Sequence, residues 1–231
     1  MRIRLPEQFI YTNRAQNSSA YVKNGVLYVS GCVNFEELMY TATYVLKGYD
    51  TCHYCGAELT EKNRSLDHMY PRRWGGVSIT DNLIPSCKAC NQEKRDMTYE
   101  QFMQYRRLRS QKRKDEFYLK CEEENMRIRK RAKFVINREW LSVYDIREVL
   151  KYMRFNKLEK NKSKKLAAYY RNWGQYTHPV IVSSNGWVFK GRHILHHAKG
   201  MKRSSVIAIV LDNVVVLDKD TPWGCPLKNK F

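Results

Sequence analysis

The sequence has 231 residues, of which 43% are hydrophobic and 13% aromatic, and this composition is that of a folded protein with an ordinary core. Forty-two lysines and arginines against 23 aspartates and glutamates give a net charge of +19, which predicts a polyanionic partner. Nucleic acid is expected ahead of an acidic membrane surface, although the charge alone would also fit a ribosomal-type structural role.

No apolar run reaches the ~18 residues of a membrane span, and no signal-peptide pattern follows Met1. The seven cysteines are an odd number, and four of them form two Cys-x-x-Cys pairs. This usage favours metal binding in a reducing compartment over a disulfide framework. We therefore expect a cytoplasmic protein with access to DNA or RNA and without a membrane partner.

Residues 1–49 predict a small unit of a β-hairpin and a helix. Asn24-Gly25 lies between two alternating apolar runs, which is the strongest local signal for a hairpin turn. Residues 34–48 then predict a helix, with Asn34 at its start and Gly48 at its end.

Residues 50–98 contain the two cysteine pairs. Cys52 and Cys55 form the first pair, and Cys87 and Cys90 form the second. Four thiolates from two tight turns are a tetrahedral zinc set, and four sulfur ligands leave no open position on the metal. The sequence therefore predicts one structural Zn²⁺.

The segment between the pairs predicts two strands, a loop and a helix. The stretches CHYC, LDHMYPRRWGG, DNLIPSCKACN and the following QEKRD resemble the HNH endonuclease family over residues 50 to about 98. The resemblance implies an α+β protein with a zinc-stabilised ββα-metal core, to which the hairpin-helix unit, a basic helical segment and a small C-terminal α+β domain are joined.

The resemblance also implies roles for individual residues. His68 takes the position of the general base that activates the attacking water, and Asn82 that of the residue that ties down the loop and orients the base. Asp67 and Asn91 take the positions of the ligands of one catalytic Mg²⁺ or Mn²⁺. Three basic residues of this segment are candidate nucleic-acid contacts, with a solvated loop as the alternative for the first two: Arg72, Arg73 and Lys94.

Residues 99–176 predict a basic helical region. Aromatic side chains alternate there with lysine and arginine, which fits a solvated helix with its aromatics in the core, a phosphate-tracking face, or both. The candidate nucleic-acid contacts in this region are Arg106, Arg107 and Arg109. The lysine- and asparagine-rich residues 157–165 predict a linker.

Residues 177–231 predict a hairpin with a turn at residues 184–186, a short helix and an apolar strand. This order resembles ParB/sulfiredoxin-like domains, in which the turn that matches residues 190–193 meets a phosphate or nucleotide. Arg192 and His193 are therefore candidate phosphate contacts, with simple packing as the alternative.

The leading hypothesis is a metal-dependent DNA endonuclease that nicks one strand, of the kind common in phage and mobile elements. A homodimer would be needed to cut both strands together. One alternative is a non-catalytic, zinc-stabilised nucleic-acid-binding protein. The other is a nuclease regulated by a nucleotide bound to the C-terminal domain.

Overall fold

The computed structural model describes residues 1–14, 18–31, 33–132, 142–145, 160–173, 176, 178–183 and 186–217. Its first strands, β1 (Ile10–Asn13), β2 (Ser18–Lys23) and β3 (Val26–Ser30), are antiparallel neighbours. Asn24 and Gly25 join β2 to β3 with φ angles of 53° and 70°. Two successive positive φ angles are those of a tight two-residue turn, so the predicted hairpin is confirmed.

The predicted helix that follows is α1 (Phe35–Lys47). The Asn34 side chain accepts hydrogen bonds from the backbone N–H groups of Glu36 and Glu37, at 3.2 and 3.4 Å. Gly48 ends the helix with a positive φ of 75°. The start and the end of α1 therefore lie where the sequence predicts them.

The ββα core predicted between the cysteine pairs is present. Strand β4 (Arg64–His68) pairs antiparallel with β5 (Leu83–Cys87), and Asp67 lies opposite Ile84. Helix α2 (Lys88–Lys94) begins directly after β5. The loop between the strands thus returns the chain from the end of β4 to the start of β5.

The basic helical region is helical only in part. It contains α3 (Tyr99–Arg107), α4 (Gln111–Ala132) and α5 (Lys160–Trp173). Residues 160–165 of the predicted linker belong to α5, and residues 157–159 lie outside the described residues, so the linker stays a prediction. None of the helices that the structure describes is long and apolar enough to cross a membrane.

One segment that the sequence predicted as helix is a strand. Residues Ser142–Asp145 form β6, which pairs antiparallel with a strand near the C-terminus. Val143 and Tyr144 favour extended backbone, and the edge of an existing sheet offers them hydrogen-bond partners. Tertiary pairing therefore overrides the helical pattern at these four residues.

The C-terminal elements occur in the predicted order. The hairpin β7 (Val180–Ser183) and β8 (Val188–Lys190) is followed by helix α6 (Arg192–Gly200) and strand β9 (Ser205–Leu211). The sheet order is β6-β9-β7-β8, with β7 and β9 parallel. The last described strand, β10 (Val214–Val216), leaves this sheet and pairs in parallel with β3.

The domain boundaries predicted after residues 49, 98 and 176 stay a prediction. The hydrophobic core does not respect them, because it contains residues from three of the four predicted segments. One hydrophobic cluster contains fully buried residues from the N-terminal sheet and helix, from the loop of the ββα core and from the C-terminal strands. These include Leu27, Leu38, Ile79, Ile181 and Leu211. The C-terminal sheet therefore packs against the N-terminal unit and against the loop between β4 and β5.

Candidate active site and metal-binding residues

The four predicted zinc ligands come together at one end of the ββα core. The sulfur atoms of Cys52, Cys55, Cys87 and Cys90 all lie within 4.8 Å of one another. The Cys55 and Cys87 sulfurs are 3.9 Å apart, close to the ~3.8 Å that a tetrahedral site with Zn–S bonds of ~2.3 Å requires. This arrangement fits a structural Zn²⁺, since all four positions are filled by protein sulfur.

Asp67 lies inside the core and is held by two side chains. The Tyr54 hydroxyl donates to Asp67 Oδ2 at 2.5 Å, and Lys94 Nζ lies 3.1 Å from Oδ2 and 3.3 Å from Oδ1. Burial raises the pKa of the Asp67 carboxyl, while the ion pair with Lys94 opposes this rise. Asp67 Oδ1 receives the longer of the two lysine contacts, and a carboxylate oxygen with two lone pairs is also a donor atom suited to a cation.

The buried position of Lys94 contradicts its predicted role in nucleic-acid binding. Its side chain is fully buried, and Nζ also donates to the backbone oxygen of His68 at 2.8 Å. Burial lowers the pKa of the Lys94 ammonium, and Asp67 opposes this change. Lys94 is therefore the internal partner of Asp67 and does not face solvent.

His68 ends β4 and faces a different set of neighbours. Successive strand residues point to opposite sides of a sheet, so Asp67 is directed toward α2 while His68 is directed toward the loop. His68 Nε2 lies 3.0 Å from Ser78 Oγ. Burial, helped by the charges of Arg72, Lys190 and Lys94, lowers the pKa of His68 to about 4. His68 is therefore neutral at physiological pH, which a general base must be.

Asn82 holds the loop that follows His68. Its amide nitrogen donates to the backbone oxygens of Tyr70 and Val77, at 3.1 and 2.9 Å, and its oxygen accepts from the Tyr70 N–H at 2.8 Å. Gly76 lies in the same loop, where a Cβ atom would be only 1.8 Å from the Tyr70 oxygen. The loop beside His68 therefore depends on a buried asparagine and on a glycine without a side chain.

Asn91 offers an oxygen ligand next to β4. Its amide nitrogen donates to Ser65 Oγ at 3.2 Å and to the Leu66 oxygen at 3.4 Å. Within the described part of the chain, its side-chain oxygen Oδ1 accepts no hydrogen bond. Asn91 and Asp67 thus offer oxygen donors, the kind that Mg²⁺ and Mn²⁺ prefer.

The predicted nucleic-acid contacts on the loop have protein partners. Arg73 pairs with Asp96 at 2.8 Å and with Glu122 at 2.9 Å, and its guanidinium lies over the Trp74 ring. Arg72 pairs with Glu36 at 3.2 Å. Arg73 therefore joins the loop to α4, whereas Arg72 points toward α1.

The remaining predicted contacts lie at two other places. Arg106 donates to the Tyr54 backbone oxygen and so supports the first cysteine pair, while Arg107 and Arg109 are exposed at the end of α3. Arg192 is half-buried and His193 is exposed, both at the start of α6. Their contacts with nucleic acid stay predictions.

Three residues that the sequence reasoning missed also lie at the site. Ser78 contacts His68, Tyr54 holds Asp67, and Glu36 joins Arg72 to Lys190 of the C-terminal hairpin. Tyr54 stands inside the first Cys-x-x-Cys pair and Ser78 two residues after the glycine pair, so both could have been selected by position. Nothing local in the sequence marks Glu36.

Comparison with known proteins finds sequence similarity in the segment that forms this core. The sequence model of the HNH endonuclease family matches residues 52–105. A stretch of 44 residues is 43% identical to the CRISPR-associated endonuclease Cas9 of Corynebacterium diphtheriae. The stretch is 19% of this chain and 4% of that Cas9, so the similarity covers one small part of a much longer protein.

Proposed function

We propose that the chain is a metal-dependent DNA endonuclease with His68 as its general base, because residues 52–105 match the HNH endonuclease family. One observation carries the proposal. The core around the four cysteines holds His68 against Ser78, and two residues with oxygen donors are near it in the fold: Asp67, which precedes His68 in β4, and Asn91 of α2. The net charge of +19 favours an approach to the polyanionic backbone of DNA.

The proposed reaction is the hydrolysis of one phosphodiester bond. His68 accepts a proton from the attacking water, the new bond forms between the water oxygen and phosphorus, and the bond to the 3′-oxygen breaks. A divalent cation held by Asp67 and Asn91 would stabilise the charge that develops on the phosphate and on the 3′-oxygen. The products would carry 5′-phosphate and 3′-hydroxyl ends.

Each chain carries one proposed catalytic site with one general base, so one bound chain would cut one strand. Asn82 and Gly76 keep the loop and Ser78 in place, so the His68 ring is oriented before the substrate arrives. Cleavage of both strands together would need a second chain.

The Lys94–Asp67 ion pair favours a second candidate. Because Lys94 neutralises the carboxylate that would hold the metal, the domain could instead be a zinc-stabilised module that binds nucleic acid without cleaving it. Such a module would bind DNA with the same salt dependence as the proposed nuclease, but it would not cleave the DNA.

Plasmid nicking separates these two functions. Zinc-loaded wild-type protein, His68→Ala and His53→Ala would be incubated with supercoiled plasmid in Mg²⁺, in Mn²⁺ or with neither metal added. His53 is a matched control, because it is an exposed histidine of the same domain whose ring lies 3.3 Å from the Tyr99 hydroxyl. We expect metal-dependent nicking by the wild type and His53→Ala and none by His68→Ala. Equal nicking by His68→Ala, or tight binding without any nicking, would contradict the proposed reaction.

A further inference from the structure

A carboxylate lies among the basic groups beside His68. Glu36, in the first turn of α1, pairs with Arg72 of the loop at 3.2 Å and with Lys190 at the end of β8. The neighbouring residues also touch, since the Phe35 and Phe189 rings stack with their centroids 4.5 Å apart. Two successive pairs of residues therefore fix β8 against the start of α1, at the edge of the nuclease site.

The same groups act on His68. The charges of Arg72 and Lys190 both lower the pKa of His68, and the charge of Glu36 opposes them. Burial raises the pKa of Glu36, but the contacts with Lys190 and Arg72 outweigh it and the pKa falls. Glu36 is therefore an anion that two cations share within electrostatic reach of the proposed base.

We propose that Arg72 and Lys190 form a binding subsite for a DNA phosphate next to His68, and that the Glu36 carboxylate occupies this subsite until DNA displaces it. The inference rests on the proposed function, because it assigns the substrate contacts of the same site. It also gives the C-terminal sheet a direct part in the nuclease through Lys190.

The donor groups of Arg72 and Lys190 and the exposure of the site support the binding of a phosphate between these two residues. A guanidinium and an ammonium that bind one carboxylate present the donors that also bind a phosphate oxygen. The Arg72 side chain is 53% exposed and that of Glu36 is 32% exposed, so solvent and a DNA strand can reach both. The exposed Arg72–Glu36 pair contributes little free energy, whereas in the Lys190–Glu36 pair the lysine side chain is only 20% exposed. A phosphate that binds both cations replaces these contacts by contacts of the same kind.

The turn that follows Lys190 keeps this residue in position. Gly191 has a φ of 97°, and a Cβ atom there would lie 3.0–3.3 Å from three atoms of Val180. A side chain at residue 191 would push β8 away from β7 and would move Lys190 with it. The glycine of the predicted phosphate-binding turn therefore helps to place Lys190 at the nuclease site.

The test measures binding by the zinc-loaded protein without added Mg²⁺ or Mn²⁺, where the proposed cleavage lacks its metal, with a fluorescein-labelled DNA duplex of arbitrary sequence. Glu36→Gln and Glu37→Gln remove the same charge from the same helical turn, and only Glu36 contacts Arg72 and Lys190. We expect Glu36→Gln to bind roughly three- to ten-fold more tightly than Glu37→Gln. In a background with both Arg72→Gln and Lys190→Gln, this difference should disappear.

Salt dependence supplies a second readout. Loss of one phosphate contact should reduce the slope of log affinity against log salt concentration by about 0.9, so Lys190→Gln should show this reduction. Lys23→Gln, an exposed lysine near the Asn24-Gly25 turn, loses the same charge and should keep the wild-type slope. Zinc content and thermal unfolding would show that each variant is folded.

Four results would overturn the proposal. Equal affinities of Glu36→Gln and Glu37→Gln would show that Glu36 acts only through net charge. A difference that persists in the double background would show that Glu36 does not act through Arg72 and Lys190. In both cases the proposed nuclease would stand. A nucleoside triphosphate that stabilises the wild type but not Lys190→Gln would assign the subsite to a nucleotide. A wild type that does not bind the duplex at low salt would overturn both the subsite and the proposed function.

Discussion

Lys94 and Asp67 form an ion pair inside the ββα core, with Nζ 3.1 Å from Oδ2 and the two side chains 1% and 6% exposed. The removal of one partner would leave an unpaired charge at a buried position. Breaking such a pair costs ~3–5 kcal/mol, whereas replacing both partners by apolar residues is often neutral. The pair therefore makes the stability of the core depend on the residue proposed to bind the metal.

We predict that Lys94→Met lowers the free energy of unfolding by ~3–5 kcal/mol, measured by urea denaturation of the zinc-loaded protein. Lys88→Met on the same helix is the control, because the Lys88 side chain is exposed and its ammonium donates to the Lys62 backbone oxygen and not to a carboxylate. The double variant Lys94→Met with Asp67→Leu should recover most of the loss. A loss of less than ~1 kcal/mol in Lys94→Met would show that the pair is not maintained in solution.

The features that the sequence predicted correctly are encoded by neighbouring residues. Asn24-Gly25 specifies a turn because both residues tolerate positive φ, and the spacing of Cys52 and Cys55 specifies a knuckle because both thiolates must reach one ion. The ββα order follows from similar local signals. None of these predictions requires knowledge of what lies across the core.

The features that the sequence did not predict depend on residues far apart in the chain. Glu36 and Lys190 are separated by 154 positions, and no local pattern indicates that they meet. The strand at residues 142–145 forms because β9 presents an edge, and Lys94 is buried because Asp67 compensates its charge. Long-range packing decides these cases, and periodicity does not report it.

A pH titration tests the environments of two histidines. Burial is the main cause that lowers the pKa of His68 and of His178 to about 4 in each case. We predict that their imidazole ¹H–¹³C resonances keep neutral-form shifts from pH 8 down to about 5, with His68→Gln and His178→Gln providing the assignment. A midpoint near the usual ~6.5 for either residue would mean that water reaches the ring.

The same shift makes stability depend on pH. The unfolded chain takes up protons near pH ~6.5 while the folded chain does so only near pH 4, so the unfolded state binds more protons in this range. The free energy of unfolding should therefore fall as the pH drops from ~6.5 toward 4. His178→Gln, compared at equal zinc content between pH 7 and 5.5, should show a smaller decrease than the wild type.

Zinc binding can be tested at the most exposed cysteine of the cluster. Cys55 is exposed, so Cys55→Ser would be harmless if this residue held no metal. We predict instead that Cys55→Ser lowers the zinc content and unfolds at a much lower temperature, because a structural zinc site stabilises the fold directly. Cys121→Ser is the control, since Cys121 is buried outside the cluster and its replacement should leave one zinc per chain. Normal zinc content in Cys55→Ser would contradict the four-cysteine site.

The loop between His68 and β5 depends on Gly76, and its replacement is the sharpest test of the geometry beside the proposed base. A Cβ atom at residue 76 would lie 1.8 Å from the Tyr70 oxygen, so Gly76→Ala must push the loop away from the Asn82 side chain. We predict a loss of ~2 kcal/mol or more in the free energy of unfolding, together with a change in the His68 imidazole resonances as Ser78 moves. Gly200→Ala at the end of α6 meets no atom within 4 Å and should leave both quantities close to the wild type. A Gly76→Ala variant as stable as the wild type would show that the loop has a different conformation from the one described.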